Sequence, residues 1–454
     1  MKIIDYRIVI AEDATFNERR AASFIRENVK LVCGKKLAIV TDSEQSMPLE
    51  IVIGKTNREN IDKINVERHQ NGTWEYIVTK CGDRIYLCGL GERVAEAPYT
   101  SAYRAMDDGA VGTAMAAYHF VERILGYDFI YSTFEDFPEA PELEMPAEYD
   151  YRFTREALKL GMPEKINGAA LYSLNCTDRI DWNIGSFIIK TKGNKLIVID
   201  GGHSEELPRL IECLRNISGD EIPTVSAWIF SHLHEDHYGS YKRLTEVEWR
   251  TKLKVVDVYC NFISREFWEA KATGSNAGLP ADYDAIMGSD RTLGAKIHVV
   301  RKGDKITVDE IDFDVIHVPD PARAAEMNVN DTSVVYKMTY DDEQTIMFLG
   351  DAECVCNEDL VNNCADMLKS DVVQVGHHGC GNVSRECYEL IDAKVYIWQC
   401  GERFWYQDKG EGINTHNVGF VRYRTYMMER GTKKENIYVT IDKIDSFPLP
   451  IPIY

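Results

Sequence analysis

Short apolar runs and stretches with helical spacing alternate along the first third of the chain, and they predict strands and helices in mixed order. Predicted strands cover residues 3–10, Leu37 to Thr41, Glu50 to Ile53, Trp74 to Thr79 and Arg84 to Cys88, and predicted helices cover Asn17 to Leu31 and Val111 to Leu125. Elements mixed in this way are typical of a compact α/β domain, here a small one at the N-terminus.

A segment of residues 132–150, rich in acidic residues and containing three prolines, follows these elements. Because proline interrupts regular structure and polar runs favour loops, this segment is the best candidate for a linker. We therefore predict an N-terminal domain of residues 1–150 and a C-terminal domain of residues 151–454.

From Ala170 onward the pattern changes to short apolar strands separated by long connections. The predicted strands are Leu171 to Asn175, Ser186 to Thr191, Lys195 to Asp200, Thr224 to Phe230, Val255 to Asn261, His298 to Arg301, Ile311 to Val318, Ser333 to Thr339, Thr345 to Leu349, Asp371 to Val375, Val395 to Gln399 and Ile437 to Ile441. Strands of this number with helices between them predict two sheets packed inside helical layers, an αββα sandwich.

Composition and charge narrow the class of protein. The 454 residues are 44% hydrophobic, which is ample for real cores, and the 52 basic against 73 acidic residues give a formal charge of −21. This charge disfavours nucleic acid as a partner. Neither a signal peptide nor a membrane-spanning run is expected, and the twelve scattered cysteines favour a reducing cytoplasm. The oligomeric state stays open.

The strongest chemical signal is the run His232-Leu233-His234-Glu235-Asp236-His237 at the end of a predicted strand. Imidazole and carboxylate ligands suit a borderline divalent ion, zinc in the first place and manganese as an alternative. Four such ligands exceed what one tetrahedral ion takes from a short loop, so two adjacent ions are expected. His232 and His234 project to one side of an extended chain and would hold one ion. Asp236 and His237 would begin the next helix and hold the other.

Three further strand ends offer partners for this run. Asp351 ends one strand and is expected to bridge the two ions. The pair His377-His378 follows another strand, and since neighbours on an extended chain point opposite ways, we expect His378 to bind metal. His377 is expected either to touch the substrate or to lie behind the ligands. Asp200 is expected to orient the histidine-rich loop without binding an ion.

Together these motifs resemble those of metallo-β-lactamase superfamily hydrolases over roughly residues 165–445. The motifs are Ile199-Asp200-Gly201-Gly202, His232 to His237, Asp351 as the bridging aspartate and His377-His378-Gly379. One branch is especially similar, that of the metal-dependent domain of DNA-uptake competence proteins and the phosphorylcholine esterases, through the stretches Asp371 to Gly379, Asn330 to Val335 and Asn414 to Asn417. The resemblance implies an αββα sandwich, two divalent metal ions and hydrolysis by a bridging hydroxide.

Two positions depart from the superfamily pattern. A third histidine for the first ion is usual before the bridging aspartate, but here His317 comes too early and is expected in the strand core. Asn330 or Asp331 would face the site instead, which leaves the first ion weakly held. Cys380 replaces a usual serine and is expected to be a neutral, packed thiol.

The N-terminal domain resembles the accessory domain of α-glucuronidases and related glycoside hydrolases. The residues that carry the resemblance are Ala21 to Ile25, Ile51 to Thr56, Tyr76 to Val78, Ile85 to Gly89 and Ala116 to Tyr127. It implies a carbohydrate context and no activity of its own.

The leading hypothesis is therefore a metal-dependent hydrolase of phosphate esters or phosphodiesters, acting on a small-molecule or carbohydrate-linked substrate. Asp236 is expected to be essential, and His377, His416 or Tyr238 would serve the leaving group. One alternative is a nuclease whose basic patch includes Lys242 and Arg243, with Arg250 and Lys252 beside them. Another is a carbohydrate-binding or sensing protein with a structural metal site.

Overall fold

The computed structural model describes residues 1–70, 75–93, 111–126, 139–154, 161–176, 183–380, 383–401, 426–427, 429–440 and 443–454. Trp74, residues 132–138 and residues 414–417, which include His416, carry predictions from the sequence and lie outside these ranges. The described residues divide into two compact units, and the first of them ends at residue 154 while the second begins at residue 161.

The first unit is an α/β domain, as the sequence predicts. Its strands are β1 (Arg7–Ile10), β2 (Ile39–Thr41), β3 (Glu50–Ile53), β4 (Tyr76–Cys81), β5 (Arg84–Gly89) and β6 (Asp150–Phe153), and its helices are α1 (Phe16–Cys33), α2 (Arg58–Asp62) and α3 (Val111–Arg123). Among the described residues these strands form one sheet in the order β2-β1-β3-β5-β4-β6. Strands β2, β1, β3 and β5 are parallel, whereas β4 runs antiparallel to both of its neighbours.

Helix α1 shows how local sequence defines an element. The Thr15 side chain accepts the Glu18 amide and the Glu18 carboxylate accepts the Thr15 amide, a capping box that begins the helix. Gly34 ends it in a left-handed conformation with φ 76°. Its apolar face is buried through Ala21, Ala22, Ile25, Val29 and Val32. No helix in the described part of the chain has both the length and the apolar composition needed to cross a membrane.

The boundary between the units lies later than the predicted residue 150. Strand β6 pairs with β4, Phe153 opposite Tyr76 and Asp150 opposite Thr79, and so belongs to the first sheet. The acidic, proline-containing segment therefore precedes the last strand of the first unit, because a strand can join its sheet after a long connection that the local pattern does not reveal.

The second unit contains more strands than the sequence predicts. They are β7 (Ala170–Ser173), β8 (Ser186–Lys190), β9 (Leu196–Asp200), β10 (Thr224–Ile229), β11 (Lys254–Cys260), β12 (Lys296–Val299), β13 (Lys305–Val308), β14 (Ile311–His317), β15 (Val335–Tyr340), β16 (Gln344–Phe348), β17 (Val372–Gln374), β18 (Val395–Gln399), β19 (Ile437–Thr440) and β20 (Asp445–Pro448). The helices are α4 (Leu207–Ser218), α5 (Glu235–Leu244), α6 (Arg265–Lys271), α7 (Leu279–Met287), α8 (Ser289–Leu293), α9 (Cys354–Asn363) and α10 (Arg385–Ile391).

Two sheets organise these strands in the described part of the second unit. The first has the order β12-β11-β10-β9-β8-β7-β20, and the second has the order β13-β14-β15-β16-β17-β18-β19. Strands β9 to β12 are parallel within the first sheet, and β16 to β19 are parallel within the second.

The two sheets pack face to face between helices, and the predicted αββα sandwich is confirmed. Along β9, Ile197 and Ile199 belong to the core between the sheets, whereas Leu196 and Val198 belong to the core shared with helix α4. Helices α9 and α10 lie against the second sheet and its loops. For example, the hydroxyl of Tyr388 on α10 accepts the amide of Gly376, which follows β17.

Candidate metal centre

The residues of the predicted metal site follow the carboxyl ends of parallel strands. His232 and His234 follow β10 of the first sheet. Asp351 follows β16 and the pair His377-His378 follows β17, both in the second sheet. Such strand ends are where α/β proteins commonly bind ligands, because several loops converge there on a rigid scaffold.

These loops depend on left-handed backbone conformations at residues other than glycine. Asp200 has φ 61°, His377 has φ 49° and His378 has φ 50°. Such conformations are unfavourable for side chains with a Cβ atom and cluster at functional sites. The alternation expected for His377 and His378 therefore does not apply, since β17 ends at Gln374 and both histidines lie in a tight turn.

Four side chains form the first cluster of potential ligands: Asp236, His237, Asp351 and His378, whose ligand atoms all lie within 4.8 Å of one another. His378 Nε2 lies 3.1 Å from Asp236 Oδ2 and 3.3 Å from Asp351 Oδ2. His237 Nε2 lies 3.3 Å from Asp351 Oδ1. Asp236 and His237 are in the first turn of α5, where the sequence analysis placed them.

A second cluster shares Asp351 with the first. It consists of His232, His234 and Asp351, again with all ligand atoms within 4.8 Å. His232 Nε2 lies 3.2 Å from His234 Nδ1 and 4.0 Å from Asp351 Oδ2. The structure thus brings together the six residues proposed as ligands and places Asp351 between the two histidine groups.

Hydrogen bonds at the far ring nitrogens orient these imidazoles. His237 Nδ1–H donates to Asp200 Oδ2 over 2.8 Å, and His378 Nδ1–H donates to the Gln399 carbonyl oxygen over 3.0 Å. Asp200 also accepts the amide and hydroxyl of Ser231, whose Oγ lies 3.0 Å from His232 Nδ1. Nε2 of His237 and Nε2 of His378 therefore face the carboxylates of the first cluster, and Asp200 lies where an orienting carboxylate was expected.

Burial and opposite charge act against each other in this centre. Burial would raise the pKa of the Asp351 carboxyl, but the His378 and His237 imidazoles hold this pKa well below its usual range. Burial opposes protonation of His378, yet Asp351 and Asp236 raise its pKa to about 9. For His232, burial and the neighbouring His237 lower the pKa well below its usual value. Divalent cations would take the place of the protons on these buried rings.

The donor atoms fit two divalent cations. His237 Nε2 and Asp351 Oδ1 are buried and have no hydrogen-bond partner, although they lie 3.3 Å apart. Buried polar atoms without partners are rare in proteins, and a bound cation would satisfy both of these atoms. Imidazole together with carboxylate is a donor set suited to zinc and related ions.

Close packing against the scaffold holds His237 in place. A Cβ atom at Gly185 would lie 2.3 Å from His237 Nδ1. This is too close for van der Waals contact, so any other residue at this position would displace the ring. The amide of Gly185 also donates to the Asp236 carbonyl oxygen over 2.8 Å. Glycine is therefore required where β8 approaches the start of α5.

His317 and Asp331 are structural rather than part of the centre. His317 is buried in β14, with Nδ1 3.1 Å from the Ser333 carbonyl oxygen, as expected for a core histidine. Asp331 Oδ1 accepts the amides of Val355 and Cys356 at the start of α9. The interpretation that Asp331 faces the metals therefore fails, because its carboxylate is engaged by the amide groups of a helix N-terminus.

Asn330 contacts His377 and also Glu353, a residue not predicted from the sequence. Asn330 Nδ2 lies 3.1 Å from His377 Nε2 and 3.2 Å from Glu353 Oε1. Glu353 Oε1 is also 3.1 Å from His377 Nδ1. Burial would raise the pKa of Glu353, but His377, Asn328 and Asn330 lower it to about 2. Its one signal in the sequence is its position two residues after Asp351.

The Tyr238 side chain makes a different contact. The hydroxyl of Tyr238 donates to Asp282 of α7, which engages the only proton that Tyr238 could give a leaving group. Cys380 is buried, and His416 lies outside the described residues. Of the residues predicted to give a proton to the leaving group, His377 is the one that lies beside the ligand clusters in the described part of the chain. Its Nε2 is 4.0 Å from Asp351 Oδ2.

Comparison with known proteins agrees with this architecture. The pattern of the Metallo-beta-lactamase superfamily matches residues 181–391. ComE operon protein 3 of Bacillus subtilis (strain 168) is 26% identical over 184 residues, which are 40% of this chain and 20% of that protein. The chain therefore covers about a fifth of the length of this curated relative.

The matching solved structures have low sequence identity and low TM-scores. The metallo-beta-lactamase fold protein YhfI from Bacillus subtilis matches with a TM-score of 0.35 and 10% identity, over 61% of this chain and 99% of that one. A diphosphatase from the PhnP family matches with a TM-score of 0.35 and 13% identity, over 63% of this chain and 100% of that one. CmlA, a diiron beta-hydroxylase from Streptomyces venezuelae, matches with a TM-score of 0.39 and 10% identity, over 63% and 55%.

The family match and the two clusters of potential ligands involve the same part of the chain. The matched residues contain both sheets' central strands and every proposed ligand. Residues 181–391 therefore form a metallo-β-lactamase superfamily domain, preceded by a separate α/β unit, and its potential metal ligands support chemistry of the metal-dependent hydrolase kind.

Proposed function

We propose that this protein is a dinuclear metal-dependent hydrolase of phosphate esters or phosphodiesters. The observation that carries the proposal is the pair of ligand clusters that share Asp351, with His237 Nε2 and Asp351 Oδ1 buried and without hydrogen-bond partners. Two clusters joined by one carboxylate suit a pair of ions, and paired ions suit phosphodiester chemistry.

Two divalent cations, zinc or alternatively manganese, would supply a nucleophilic water near neutral pH and stabilise charge on the attacking and leaving oxygens of a phosphodiester. The protein's own part is to bind and orient. Asp200 and the Gln399 carbonyl oxygen hold the Nδ1 protons of His237 and His378, so that Nε2 of each ring faces the centre. Burial of these side chains limits access of bulk water and strengthens their interactions.

The proposed substrate class combines the chemistry proposed for the second unit with the resemblance of the first. The resemblance of the first unit to a glycosidase accessory domain favours a small, carbohydrate-linked phosphate ester. A cytoplasmic location fits the twelve cysteines, which form no disulfide among the described residues.

A nuclease is the less favoured alternative. In the described part of the chain, none of the ion pairs made by Asp200, Asp236 or Asp351 involves a lysine or arginine. The basic patch considered above is partly engaged, since Lys242 pairs with Asp282 and Arg243 lies over the ring of Trp249. Nucleic acid would require free positive charge along its path.

Metal analysis and hydrolysis of bis-nitrophenyl phosphate test the proposal. The purified protein should bind two ions per chain, and Asp236→Asn should lower kcat by more than about a hundredfold, since it alters a ligand. Asp257→Asn is a matched control, because Asp257 pairs with His298 on β12, outside the two ligand clusters. Fewer than one ion per chain, or full activity of Asp236→Asn, would refute the proposal.

A further inference from the structure

The two halves of the metal centre are unequally supplied with ligands. The half around His237 has four potential ligands, whereas the half around His232 and His234 has two imidazoles and the shared Asp351. The histidine that would complete the second half is absent from its expected position, and His317 packs in the core. Another side chain near this half could take that place.

We propose that His377 supplies the missing ligand, through Nε2, to a divalent cation held by His232 and His234, and that Glu353 orients its ring. The inference rests on the proposed dinuclear centre and concerns only how one half of that centre is completed.

The position of His377 relative to Asp351 is the first support. His377 Nε2 lies 4.0 Å from Asp351 Oδ2, and His232 Nε2 lies at the same distance from the same oxygen. Nε2 of each of the two imidazoles therefore lies equally far from the Asp351 carboxylate, which the two halves share.

The contacts of the ring give the second support. His377 Nδ1 lies 3.1 Å from Glu353 Oε1, and a small rotation of the ring would align the N–H with this oxygen. Asn330 Nδ2 lies 3.1 Å from His377 Nε2, and an amide nitrogen can only donate. His377 Nε2 thus carries a lone pair rather than a proton, and a cation would take this lone pair in place of the Asn330 N–H.

This arrangement repeats that of His237, a proposed ligand in the same centre. A carboxylate lies against Nδ1 of His237, from Asp200, and another lies against Nδ1 of His377, from Glu353. Carboxylates in this position fix the tautomer and raise the basicity of a metal-binding imidazole. A lone pair on Nε2 suits a metal ligand better than a proton donor for the leaving group.

The backbone holds His377 next to the Asp351 loop. The amide of His377 donates to the Gly350 carbonyl oxygen over 3.0 Å, immediately before Asp351. His377 keeps φ 49° despite the cost of this conformation, which indicates that surrounding contacts determine it. The backbone of His377 is therefore held beside the loop of Asp351, the residue with which His377 would share an ion.

Calorimetric titration of the metal-free protein with zinc tests the inference. The wild-type protein should bind two ions, and His377→Ala should keep the tighter ion while binding the other at least about tenfold more weakly. Glu353→Gln should weaken the same ion by about ten- to a hundredfold. Glu358→Gln, on α9 and exposed beside Arg323, is the matched control and should bind both ions normally.

The outcomes separate this inference from the function it rests on. Two ions bound with unchanged affinity by His377→Ala would overturn the role of His377 and leave the dinuclear centre intact. If His377→Ala does not fold, unchanged binding by Glu353→Gln overturns the inference equally. Fewer than two ions in the wild-type protein would overturn the centre and this inference with it. His234→Ala should weaken the same ion as His377→Ala, so the double variant should bind one ion.

Discussion

Single hydrogen bonds decide which nitrogen of each imidazole faces the metal centre. The carboxylate of Asp200 holds the Nδ1 proton of His237, and the same carboxylate accepts the amide of Ser231 at the end of β10. The Asp200 side chain therefore positions both a potential ligand, His237, and the loop that carries His232 and His234. An uncharged side chain of the same shape would orient the His237 ring but would lack the negative charge that raises its basicity.

Replacing Asp200 with Asn tests this role at the scale of one residue. Asn keeps the size of the side chain but removes the negative charge, so affinity for metal should fall by about ten- to a hundredfold. Titration calorimetry of the metal-free protein measures the change, with Asp257→Asn as the control outside the ligand clusters. Equal affinities of Asp200→Asn and wild type would contradict an orienting role.

Gly185 gives a second test at this scale. Gly185→Ala would place a Cβ atom 2.3 Å from His237 Nδ1, so the ring must move and the first half of the centre should lose its ion. We also expect a loss of stability of about 1–3 kcal/mol from overpacking. Metal content and thermal unfolding report the two effects. Gly161→Ala should change neither, because nothing lies within 4 Å of a Cβ atom there.

At the scale of elements, the N-terminus of helix α9 is stabilised by a side chain from another segment of the chain. Glu353 precedes the helix but makes no side-chain cap, and Asp331 from the turn Asn330–Thr332 accepts the amides of Val355 and Cys356. The free amides of a helix N-terminus favour a negative charge, so this contact anchors α9 next to the loop of Asp351.

Replacing Asp331 should therefore destabilise the second unit without removing a ligand. Asp331→Ala is expected to cost about 2 kcal/mol, because two buried amide groups lose a charged acceptor. Asp331→Asn should cost less, since its carbonyl oxygen still accepts. Unfolding in urea measures both, and a wild-type midpoint for Asp331→Ala would show that the contact is not stabilising.

Helix α3 of the first unit carries a buried histidine that should make this unit sensitive to acid. Burial, together with the nearby Arg123, lowers the pKa of His119 from 6.5 to about 4. The folded form thus binds the proton less readily than the unfolded chain. The stabilising effect is complete above pH 6.5 and declines as the pH falls toward 4, by about 3 kcal/mol in total.

His119→Gln should flatten this dependence on pH. Unfolding free energies measured between pH 7 and about pH 4 should fall less steeply in the variant than in the wild type. The same exchange at His69, half-exposed in the first unit, is the control and should leave the acid-induced loss in place. A slope unchanged in His119→Gln would show that another group is responsible.

On the scale of the whole molecule, each unit has its own sheet and its own core. Val52, Ile77 and Tyr86 belong to the core of the first unit, and the paired sheets of the second unit enclose another. All potential metal ligands found in the described residues lie in the second unit.

Zinc should therefore raise the thermal transition of the second unit. Ions that bind only the folded form stabilise it by about 2.7 kcal/mol at a hundred times Kd. Differential scanning calorimetry with zinc and then with a chelator should show a reversible rise in wild type. Asp236→Ala, which lacks a ligand of the first cluster, should show a smaller rise, and an equal rise would place the stabilising ion elsewhere.

Much of the fold could be predicted because local spacing distinguishes strands from helices. The predicted strands Glu50 to Ile53 and Val395 to Gln399 coincide with β3 and β18. Predictions failed where pairing with distant residues decides the conformation. Residues 3–5 form a 3-10 turn whose Ile3 amide bonds the Leu143 carbonyl oxygen, and β20, which has no alternating pattern, exists by pairing with β7.

The sequence by itself determined the kind of centre, because His232 to His237 carry four donor groups within six residues at the end of one strand. Local chain geometry is enough to bring such neighbours together. Only the tertiary structure decided that Asp331 caps a helix and that Glu353 lies against His377. These contacts join residues from separate loops, and their distances depend on how the strands pair, which hydrophobic periodicity does not specify.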